Sequence, residues 1–203
     1  MGRANTEPQK ISRKEQAEQT KEKLLSISLK LVRKQGFDQV KISDICAEAG
    51  VSTGAFYHHL KNKAGILVEG YAKCDAYFAD VVYPLLKNRC DAEGILEYVE
   101  YQMIYAMDLG SQLCGQVYCA QLMEASEFIL SNKRARPAGL ISMVRNAQKQ
   151  EVLSSKKSAE EIGDEILVIC RGILYSWCQM QGNCDIKKYA REIIGTYLRS
   201  YEI

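Results

Sequence analysis

The stretch VKISDICAEAGVSTGAFYHHLKNKAGIL, residues 40–67, decides the fold of this chain. In its first half, apolar side chains recur from Ile42 to Ala49 at the i, i+3, i+4 and i+7 spacing that gives a helix one apolar side. Gly50 follows at once, and glycine readily takes the left-handed conformation that ends a helix. The pattern predicts a short helix that stops in a tight turn.

The second half of the stretch predicts another short helix directly after this turn. Val51 supplies an apolar side chain to the turn, and Ser52 can accept a hydrogen bond from a free amide of the next helix. Phe56 and Leu60 are four residues apart and therefore face the same, inner side. The side chains left on the outer side are those of Thr53, Tyr57 and His58. Such a pair is typical of a helix-turn-helix unit, and an ordinary helical hairpin with a solvated polar face is the alternative.

The ordered run AGVSTGAFYHHLKNK, residues 49–63, resembles the DNA-binding core of the tetracycline-repressor (TetR) family of bacterial regulators. The resemblance covers roughly residues 20–67, from the LL…L…GF pattern of a first helix to the K-x-K pair before Ile66. It implies an all-α chain of about nine helices. It also implies an N-terminal three-helix helix-turn-helix DNA-binding domain, residues 1–63, and a C-terminal helical domain for effector binding and dimerisation, residues 64–203. The remainder of the chain resembles the family only in length and helical pattern.

The resemblance implies a set of DNA contacts. Residues 52–55 would approach the bases, because hydroxyl groups read donors and acceptors and small side chains permit close approach. Tyr57, His59 and Lys63 match positions that contact phosphate, and His58 matches an outward base or sugar contact. The full set of predicted DNA-binding positions is Lys41, Ser43, Ser52, Thr53, Gly54, Ala55, Tyr57, His58, His59 and Lys63.

Two positions near this set need separate comment. Relatives usually have Thr where Lys41 stands, so the sequence predicts a second helix without a side-chain cap, although Lys41 can still contact phosphate by its charge. His58 and His59 are adjacent and would point about 100° apart on a helix, which is poor geometry for a metal site. Further upstream, Arg3, Lys10, Arg13 and Lys14 could reach DNA as a flexible arm, and a solvated tail is the alternative.

Composition places the chain among ordinary globular proteins. Its 203 residues are 47% hydrophobic and 26% charged, and no run of about eighteen apolar residues predicts a membrane span. The polar N-terminus lacks an apolar signal segment, so we expect the protein to stay in the cytoplasm. The length allows one large or two small domains.

Charge is distributed unevenly along the chain. Residues 1–63 contain 12 Lys and Arg against 7 Asp and Glu, a net charge of +5, whereas residues 64–203 contain 15 against 18, a net charge of −3. A basic N-terminal part on a mildly acidic remainder favours a DNA-binding head on a body that makes no DNA contact. A random fluctuation of this size is the alternative.

Caps and apolar periodicity predict helices through the rest of the chain. Ser12 and Ser158 each begin a capping box, which predicts a helix start directly after each serine. Thr20 is the alternative start of the first helix. A long helix is predicted from about Asn62 to about residue 87, and Pro84 should kink or shorten it. Asp91 then opens the next helix.

The remaining boundaries are predicted from glycines and proline. Gly110 and Gly115 are expected to bracket a break, and the basic segment 133–139 with its Pro137 is expected to be a connection. The other predicted helices run to about residue 131, from about 139 to 153, and from about 186 to 201.

The last two predicted helices carry more apolar surface than one neighbour can cover. On the helix after Ser158, Leu167, Val168 and Tyr175 extend the apolar surface beyond its main face. A helix that is apolar over so much of its circumference must bury two sides. We therefore predict a homodimer in which these helices form a four-helix bundle. Coverage by the chain's own middle helices is the alternative.

The family resemblance implies a small-molecule effector bound in the helical body. Aromatic and methionine side chains on the body helices are candidate contacts, although plain core packing is the alternative for each. These candidates are Tyr71, Phe78, Tyr101, Met103, Tyr105, Tyr118, Met123, Tyr175 and Trp177. Gln121 and Glu124 are polar residues inside an otherwise apolar helix, and Glu124 would suit a cationic or aromatic apolar ligand.

The function predicted from these observations is a DNA-binding repressor that recognises a palindromic operator as a homodimer and is released by a small molecule. Eight cysteines would also allow a thiol-based redox sensor of the same fold, although no C-x-x-C pair or usual zinc spacing occurs. No Ser/His/Asp set, phosphate-binding loop or metal spacing indicates an enzyme. We therefore expect no catalytic residues, no cofactor and no metal.

Overall fold

The computed structural model describes residues 12–124 and 130–203, except for the side chain of Glu124. Within these ranges the chain forms nine helices and no strand. The one pairing of the β type in the described part is a single bridge between Leu153 and Glu202. The prediction of an all-α fold is therefore confirmed.

The nine helices are numbered in chain order. They are α1 (Arg13–Gln35), α2 (Ile42–Ala49), α3 (Thr53–Leu60), α4 (Gly65–Tyr77, continued by a π-helical turn Phe78–Val82 and a last turn Tyr83–Leu86), α5 (Ala92–Leu109), α6 (Ser111–Glu124), α7 (Ala135–Lys149), α8 (Ala159–Gln179) and α9 (Ile186–Arg199). The predicted continuation of α6 to about residue 131 passes through residues 125–129, which lie outside the described ranges. Arg3 and Lys10 of the predicted arm lie outside them as well, whereas Arg13 and Lys14 are exposed in the first turn of α1.

Helix starts are fixed by side-chain caps where the sequence predicts them. Ser12 Oγ accepts from the Glu15 amide at 3.2 Å, and the Glu15 carboxylate accepts from the Ser12 amide at 2.7 Å. Ser158 and Glu161 form the same reciprocal pair at the start of α8. Asp91 opens α5 by accepting from an amide of its first turn at 2.6 Å. Local hydrogen bonding is sufficient to set these boundaries.

Pro84 lies inside α4, which widens locally instead of ending. A proline has no amide to donate, and in an α-helix its ring collides with the carbonyl four residues back. The π-helical turn Phe78–Val82 comes immediately before this position, and a wider turn relieves such a collision. The long helix predicted from the sequence is therefore present, with a bulge as the response to its proline.

Two predicted boundaries are wrong. Gly115 lies inside α6, where it faces Cys178 of α8, and does not mark a break. Gly110 alone, with φ 83°, separates α5 from α6. Helix α7 begins at Ala135, within the segment expected to be a connection. Pro137 is tolerated in its first turn, where an amide has no partner within the helix.

The apolar core falls into two clusters. The first is built from α1 to the start of α4, where Ile45, Phe56 and Ile66 have no exposed surface, and it includes Leu113 and Ala120 of α6. The second, larger cluster lies among the remaining turns of α4 and helices α5 to α9. Since α6 contributes to both clusters, packing is continuous between the predicted DNA-binding head and the body. The division at residue 63 stays a prediction.

Candidate nucleic-acid interface and ligand cavity

The turn between α2 and α3 is set by one glycine and one serine. Gly50 is in the left-handed conformation, φ 65° and ψ 36°, which a side chain would disfavour. The Val51 amide donates back to the Cys46 carbonyl at 3.1 Å and closes the end of α2. Ser52 Oγ then accepts from the Ala55 amide at 3.2 Å and caps α3. The predicted turn and its cap are both present.

The two short helices bury one side and expose the other. Their buried side chains are Ile45, Cys46, Ala49, Phe56 and Leu60. Of the predicted DNA contacts, the exposed ones are Lys41, Ser43, Ser52, Thr53, Gly54, Tyr57 and His58. The half-buried ones are Ala55, His59 and Lys63. Tyr57 has 51% of its surface exposed, so its ring and hydroxyl are accessible to a partner.

The start of α2 has no side-chain cap, as the sequence predicts for a lysine at position 41. Lys41 precedes α2 in an extended conformation, and its side chain forms no cap. Ser43 follows one step inside the helix, and its hydroxyl is 3.2 Å from Asp44 Oδ1. Both side chains are exposed and remain accessible to a phosphate.

Lys63 is held close to the head by two contacts. Its Nζ donates to the Asp38 carbonyl at 3.0 Å and lies 4.8 Å from the centre of the Phe37 ring. Asn62 Oδ1 accepts from the Gly65 amide at 2.9 Å and closes the turn into α4. Lys63 itself lies two residues before the start of α4, and the free backbone amides at a helix N-terminus favour an anion such as phosphate.

The two histidines are perpendicular to each other. Their ring centres are 5.0 Å apart and the ring planes are inclined by 80°. Partial burial lowers the pKa of His59, and the neighbouring His58 and Lys21 lower it further. His59 is therefore mostly neutral at pH 7, and its ring can donate one hydrogen bond to a phosphate oxygen. Within the described residues, no cluster of three His, Cys, Asp or Glu side chains has metal-binding geometry.

A cavity of about 140 Å³ lies where the first cluster meets the body. Its apolar walls come from both clusters: Leu29, Ile66 and Leu67 belong to or pack against the first cluster, and Leu174 belongs to the second. The polar and charged side chains that line it are Tyr71, Lys73, Cys74, Gln102, Tyr105, Cys114, Tyr118, Gln121, Arg136 and Arg171. Six helices, α1 and α4 to α8, contribute to this lining.

Four of the predicted effector contacts are brought together at this cavity. They are Tyr71 of α4, Tyr105 of α5, and Tyr118 and Gln121 of α6. Burial raises the pKa of Tyr71 and of Tyr105 to about 12, and it raises the pKa of Tyr118 as well. The three phenol groups are therefore neutral at pH 7 and can donate hydrogen bonds into the cavity.

The other predicted effector contacts lie elsewhere. Phe78, Met103 and Trp177 are buried in the second cluster, and Tyr101 packs against it. These four side chains pack as ordinary core residues, because neighbouring helices cover their apolar faces. The remaining two described candidates are mostly exposed, Met123 at 80% and Tyr175 at 53%. The side chain of Glu124 lies outside the described part of the structure.

Sequence reasoning did not select Gln102, Arg136 or Arg171, which also line the cavity. Arg171 was detectable in principle, because it is a lone cation near the middle of a strongly apolar helix. Arg136 was hidden in a basic segment that was expected to be a connection. Its approach to the cavity depends on how α7 packs against α4, which no local pattern reports.

A buried ion pair fixes one wall of the cavity. The Arg134 guanidinium donates to both carboxylate oxygens of Asp75 at 2.7 and 3.2 Å, and the Arg136 amide donates to the same carboxylate at 3.3 Å. The Arg134 guanidinium also lies 4.5 Å from the centre of the Tyr71 ring. Asp75 on α4 thus holds the start of α7, and Tyr71 packs against this connection.

Three of the eight cysteines, Cys74, Cys114 and Cys170, do not have the features of reactive thiols. All eight are free, and Cys46, Cys114 and Cys170 are buried. Burial raises the pKa of Cys74 to about 11 and of Cys114 and Cys170 to about 12. Because the thiolate is the reactive form, these three groups react slowly at pH 7. Cys119 is the exposed thiol of the set.

The described helices were also compared with the requirements of a membrane span. None of those in residues 12–124 and 130–203 is both long enough and apolar enough to cross a bilayer.

An all-α fold that presents a capped, exposed α3 beyond a glycine turn defines a helix-turn-helix DNA-binding protein. Comparison with known proteins identifies the family. The sequence profile of the bacterial regulatory proteins of the tetR family matches residues 24–69. The HTH-type transcriptional regulator AcrR of Shigella flexneri is 34% identical over an alignment of 213 positions, which covers 93% of this chain and 92% of AcrR. The chain belongs to the tetR family of bacterial regulatory proteins.

Two further relatives agree over nearly the whole length. The HTH-type transcriptional repressor BepR of Brucella suis biovar 1 (strain 1330) is 24% identical over 198 residues, 92% of this chain and 94% of BepR. The crystal structure of NalD, the secondary repressor of the MexAB-OprM multidrug efflux pump in Pseudomonas aeruginosa, shares the fold. It has a TM-score of 0.60 at 16% identity and covers 93% of this chain and 98% of NalD. Family membership makes the chain a DNA-binding transcriptional regulator, not an enzyme.

Proposed function

We propose that this protein is a repressor that binds a palindromic operator as a homodimer and is released by a small molecule. The observation that carries the proposal is the outer side of α3. Thr53, Gly54, Tyr57 and His58 are exposed there, while Phe56 anchors the helix in the core. Small and hydroxyl-bearing side chains at the start of a helix suit close approach to base edges in the major groove.

We assign DNA binding to residues 1–63 and effector binding and dimerisation to residues 64–203. The net charges of +5 and −3 on these two parts support the assignment, since a basic head is attracted to phosphate and an acidic body is not. A transcriptional regulator acts on DNA, which bacteria keep in the cytoplasm, so we propose that the protein is cytoplasmic.

The proposed dimer forms through α8 and α9. Val168 and Tyr175 on α8 are 58% and 53% exposed, and Tyr189 on α9 is 40% exposed. These residues lie on helices whose other sides are already buried in the second cluster. A second copy related by a two-fold axis would cover both helices and complete a four-helix bundle. Two copies of α3 would then read two half-sites, which gives the selectivity that a single short helix lacks.

The proposed effector binds in the cavity between head and body. Leu67 of α4 lines that cavity and belongs to the first cluster, against which Leu29 of α1 packs, whereas Leu174 belongs to the second cluster. Tyr105 of α5 also lines the cavity. A ligand that fits one relative position of these walls better than another shifts the population toward that position. A preference of about 1–3 kcal/mol changes operator affinity by about 5- to 150-fold. BepR and NalD are both described as repressors, which supports repression as the outcome of DNA binding.

The proposal is tested by Lys63→Ala, with binding to duplex DNA measured over a series of salt concentrations. We expect weaker binding to every sequence, and the slope of log K against log salt should flatten by about one unit, because one phosphate contact is lost. Lys87→Ala removes the same charge from the far end of α4 and serves as the control. Equal salt slopes for Lys63→Ala, Lys87→Ala and the unaltered protein would contradict a phosphate contact by Lys63.

A further inference from the structure

The charged side chains that line the cavity are all cations. Lys73, Arg136 and Arg171 face it, and no Asp or Glu of the described residues does so. Arg136 and Arg171 are half-buried, while Lys73 is exposed. In a partly desolvated site, like charges repel and opposite charges attract more strongly than in water. The described lining therefore favours an anionic guest over a cationic one.

The nearest structural ion pair does not neutralise these cations. Asp75 is already bound by Arg134 through two hydrogen bonds, and it does not line the cavity. Arg136 donates instead to a neutral acceptor, Gln102 Oε1, at 2.7 Å. Neither Arg136 nor Arg171 forms an ion pair with any carboxylate whose side chain the structure describes, which leaves out Glu124. A guanidinium has five N–H donors, so Arg136 can bind a further acceptor.

Gln121 offers a second donor at the same cavity. Its Nε2 is buried and has no hydrogen-bond partner among the described residues. A buried donor without an acceptor is unfavourable, and native proteins rarely retain one without a reason. An acceptor oxygen on a bound molecule would satisfy this amide.

The remaining walls suit a flat apolar body. Tyr71, Tyr105 and Tyr118 contribute aromatic rings, and leucines from α1, α4, α5, α6 and α8 contribute the rest. The volume of about 140 Å³ resembles that of cavities that accept a single benzene ring. The three phenol groups stay neutral at pH 7, so they add donors and no negative charge.

From these observations we infer that the cavity binds a small aromatic acid, with the ring among the tyrosines and the carboxylate at Arg136 and the Gln121 amide. This rests on the proposed function, in which the cavity holds the effector, and it adds the effector's chemical class. The expectation of a cationic ligand depended on Glu124. The described part of the lining has the opposite preference.

The inference is tested with three probes that share a 4-ethylphenyl ring and carry an anionic, a neutral or a cationic head group: 4-ethylbenzoate, 4-ethylbenzamide and 4-ethylbenzylammonium. Their binding to the purified full-length protein is measured by isothermal titration calorimetry. A charge-assisted hydrogen bond contributes more than a neutral one, so the carboxylate should bind about tenfold or more tightly than the amide. The ammonium should bind more weakly still. Equal or tighter binding of the amide or the ammonium, or no binding of the carboxylate, would overturn the inference.

Two variants assign the contacts. Arg136→Gln should weaken the binding of 4-ethylbenzoate by about tenfold or more and leave the binding of 4-ethylbenzamide nearly unchanged. Arg145→Gln is the matched control, since Arg145 lies on the exposed part of the same helix and pairs with Glu160.

Gln121→Met should weaken the binding of 4-ethylbenzoate and also raise the melting temperature of the protein alone, because it removes a buried unpaired donor. A fall in melting temperature with unchanged affinity would show a purely structural role and overturn the assignment of Gln121.

The inference and the proposed function can fail separately. Calorimetry requires no DNA, whereas release is followed as the loss of duplex binding when 4-ethylbenzoate is added. Binding of the carboxylate without any change in DNA affinity supports the ligand class and contradicts the release mechanism. Intact DNA binding together with no preference for the carboxylate overturns the ligand class and leaves the DNA-binding regulator in place.

Discussion

At the scale of single residues, Ser52 and Thr53 are neighbours with different roles. Ser52 Oγ caps α3, whereas Thr53 is exposed at the start of α3 and has no hydrogen bond from its side chain to a described residue. Ser52 stabilises the folded head through its cap, whereas Thr53 is available to contact DNA. Substitution of each residue by alanine separates stability from recognition.

Ser52→Ala should lower the free energy of unfolding by about 1 kcal/mol, because the first turn of α3 loses its acceptor. Thr53→Ala should leave that free energy nearly unchanged and instead relax the base preference of DNA binding. Urea denaturation measures the first effect, and competition between duplexes with single base changes measures the second. The assignment fails if Thr53→Ala destabilises the fold as much as Ser52→Ala does.

Local chemistry of this kind is what a sequence reports well. Ser12, Gly50 and Ser158 set helix ends through bonds to residues within about four positions, and each stands where the pattern predicted. The outer side of α3 was predictable for the same reason, since helical periodicity alone separates Phe56 and Leu60 from Tyr57 and His58. No such local rule places a side chain from a distant helix.

At the scale of helices, the turn from α3 to α4 shows what the sequence could not reveal. A Cβ built on Gly65 would stand 1.8 Å from the Leu60 carbonyl oxygen. No spacing or cap in the sequence indicates this close approach. In the folded protein, Gly65 is required because the backbone of α3 ends directly against it.

Gly65→Ala should therefore destabilise the protein by about 1–3 kcal/mol, because the backbone of the turn must move to admit a methyl group. Gly70→Ala is the matched control on the same helix, where a Cβ would meet no atom within 4 Å. That change should stabilise the protein by about 0.5–1 kcal/mol through the helix propensity of alanine. Thermal unfolding of both variants checks the pair, and a neutral Gly65→Ala would show that the turn is not constrained.

The cavity illustrates the same limit between helices. Tyr71, Tyr118 and Gln121 were identifiable as aromatic or polar side chains on apolar helices. Arg136 and Arg171 reach the cavity only because α7 and α8 pack beside α4 and α6. The convergence of these two cations is a property of tertiary packing, so the charge of the site could not be read from periodicity.

At the scale of the whole molecule, the account depends on a second copy of the chain. Val168→Asp on α8 should convert the proposed dimer into a monomer, because a buried carboxylate without a partner is strongly unfavourable in an apolar interface. Leu85→Asp changes a side chain of similar exposure, 60% against 58%, at the end of α4, and should leave the dimer intact. Sedimentation equilibrium distinguishes the two, and a dimeric Val168→Asp variant would exclude α8 from the interface.

The most direct test of the central claim is a hydroxyl-radical footprint of the full-length protein on a duplex selected from a random pool for tight binding. We expect two symmetric protected regions whose centres are one helical turn, about 34–36 Å, or a multiple of it apart, one for each copy of α3. Both regions should weaken together in the Thr53→Ala variant. A single protected region without a symmetric partner, or a footprint that Thr53→Ala leaves unchanged, would contradict the claim that α3 reads the duplex twice.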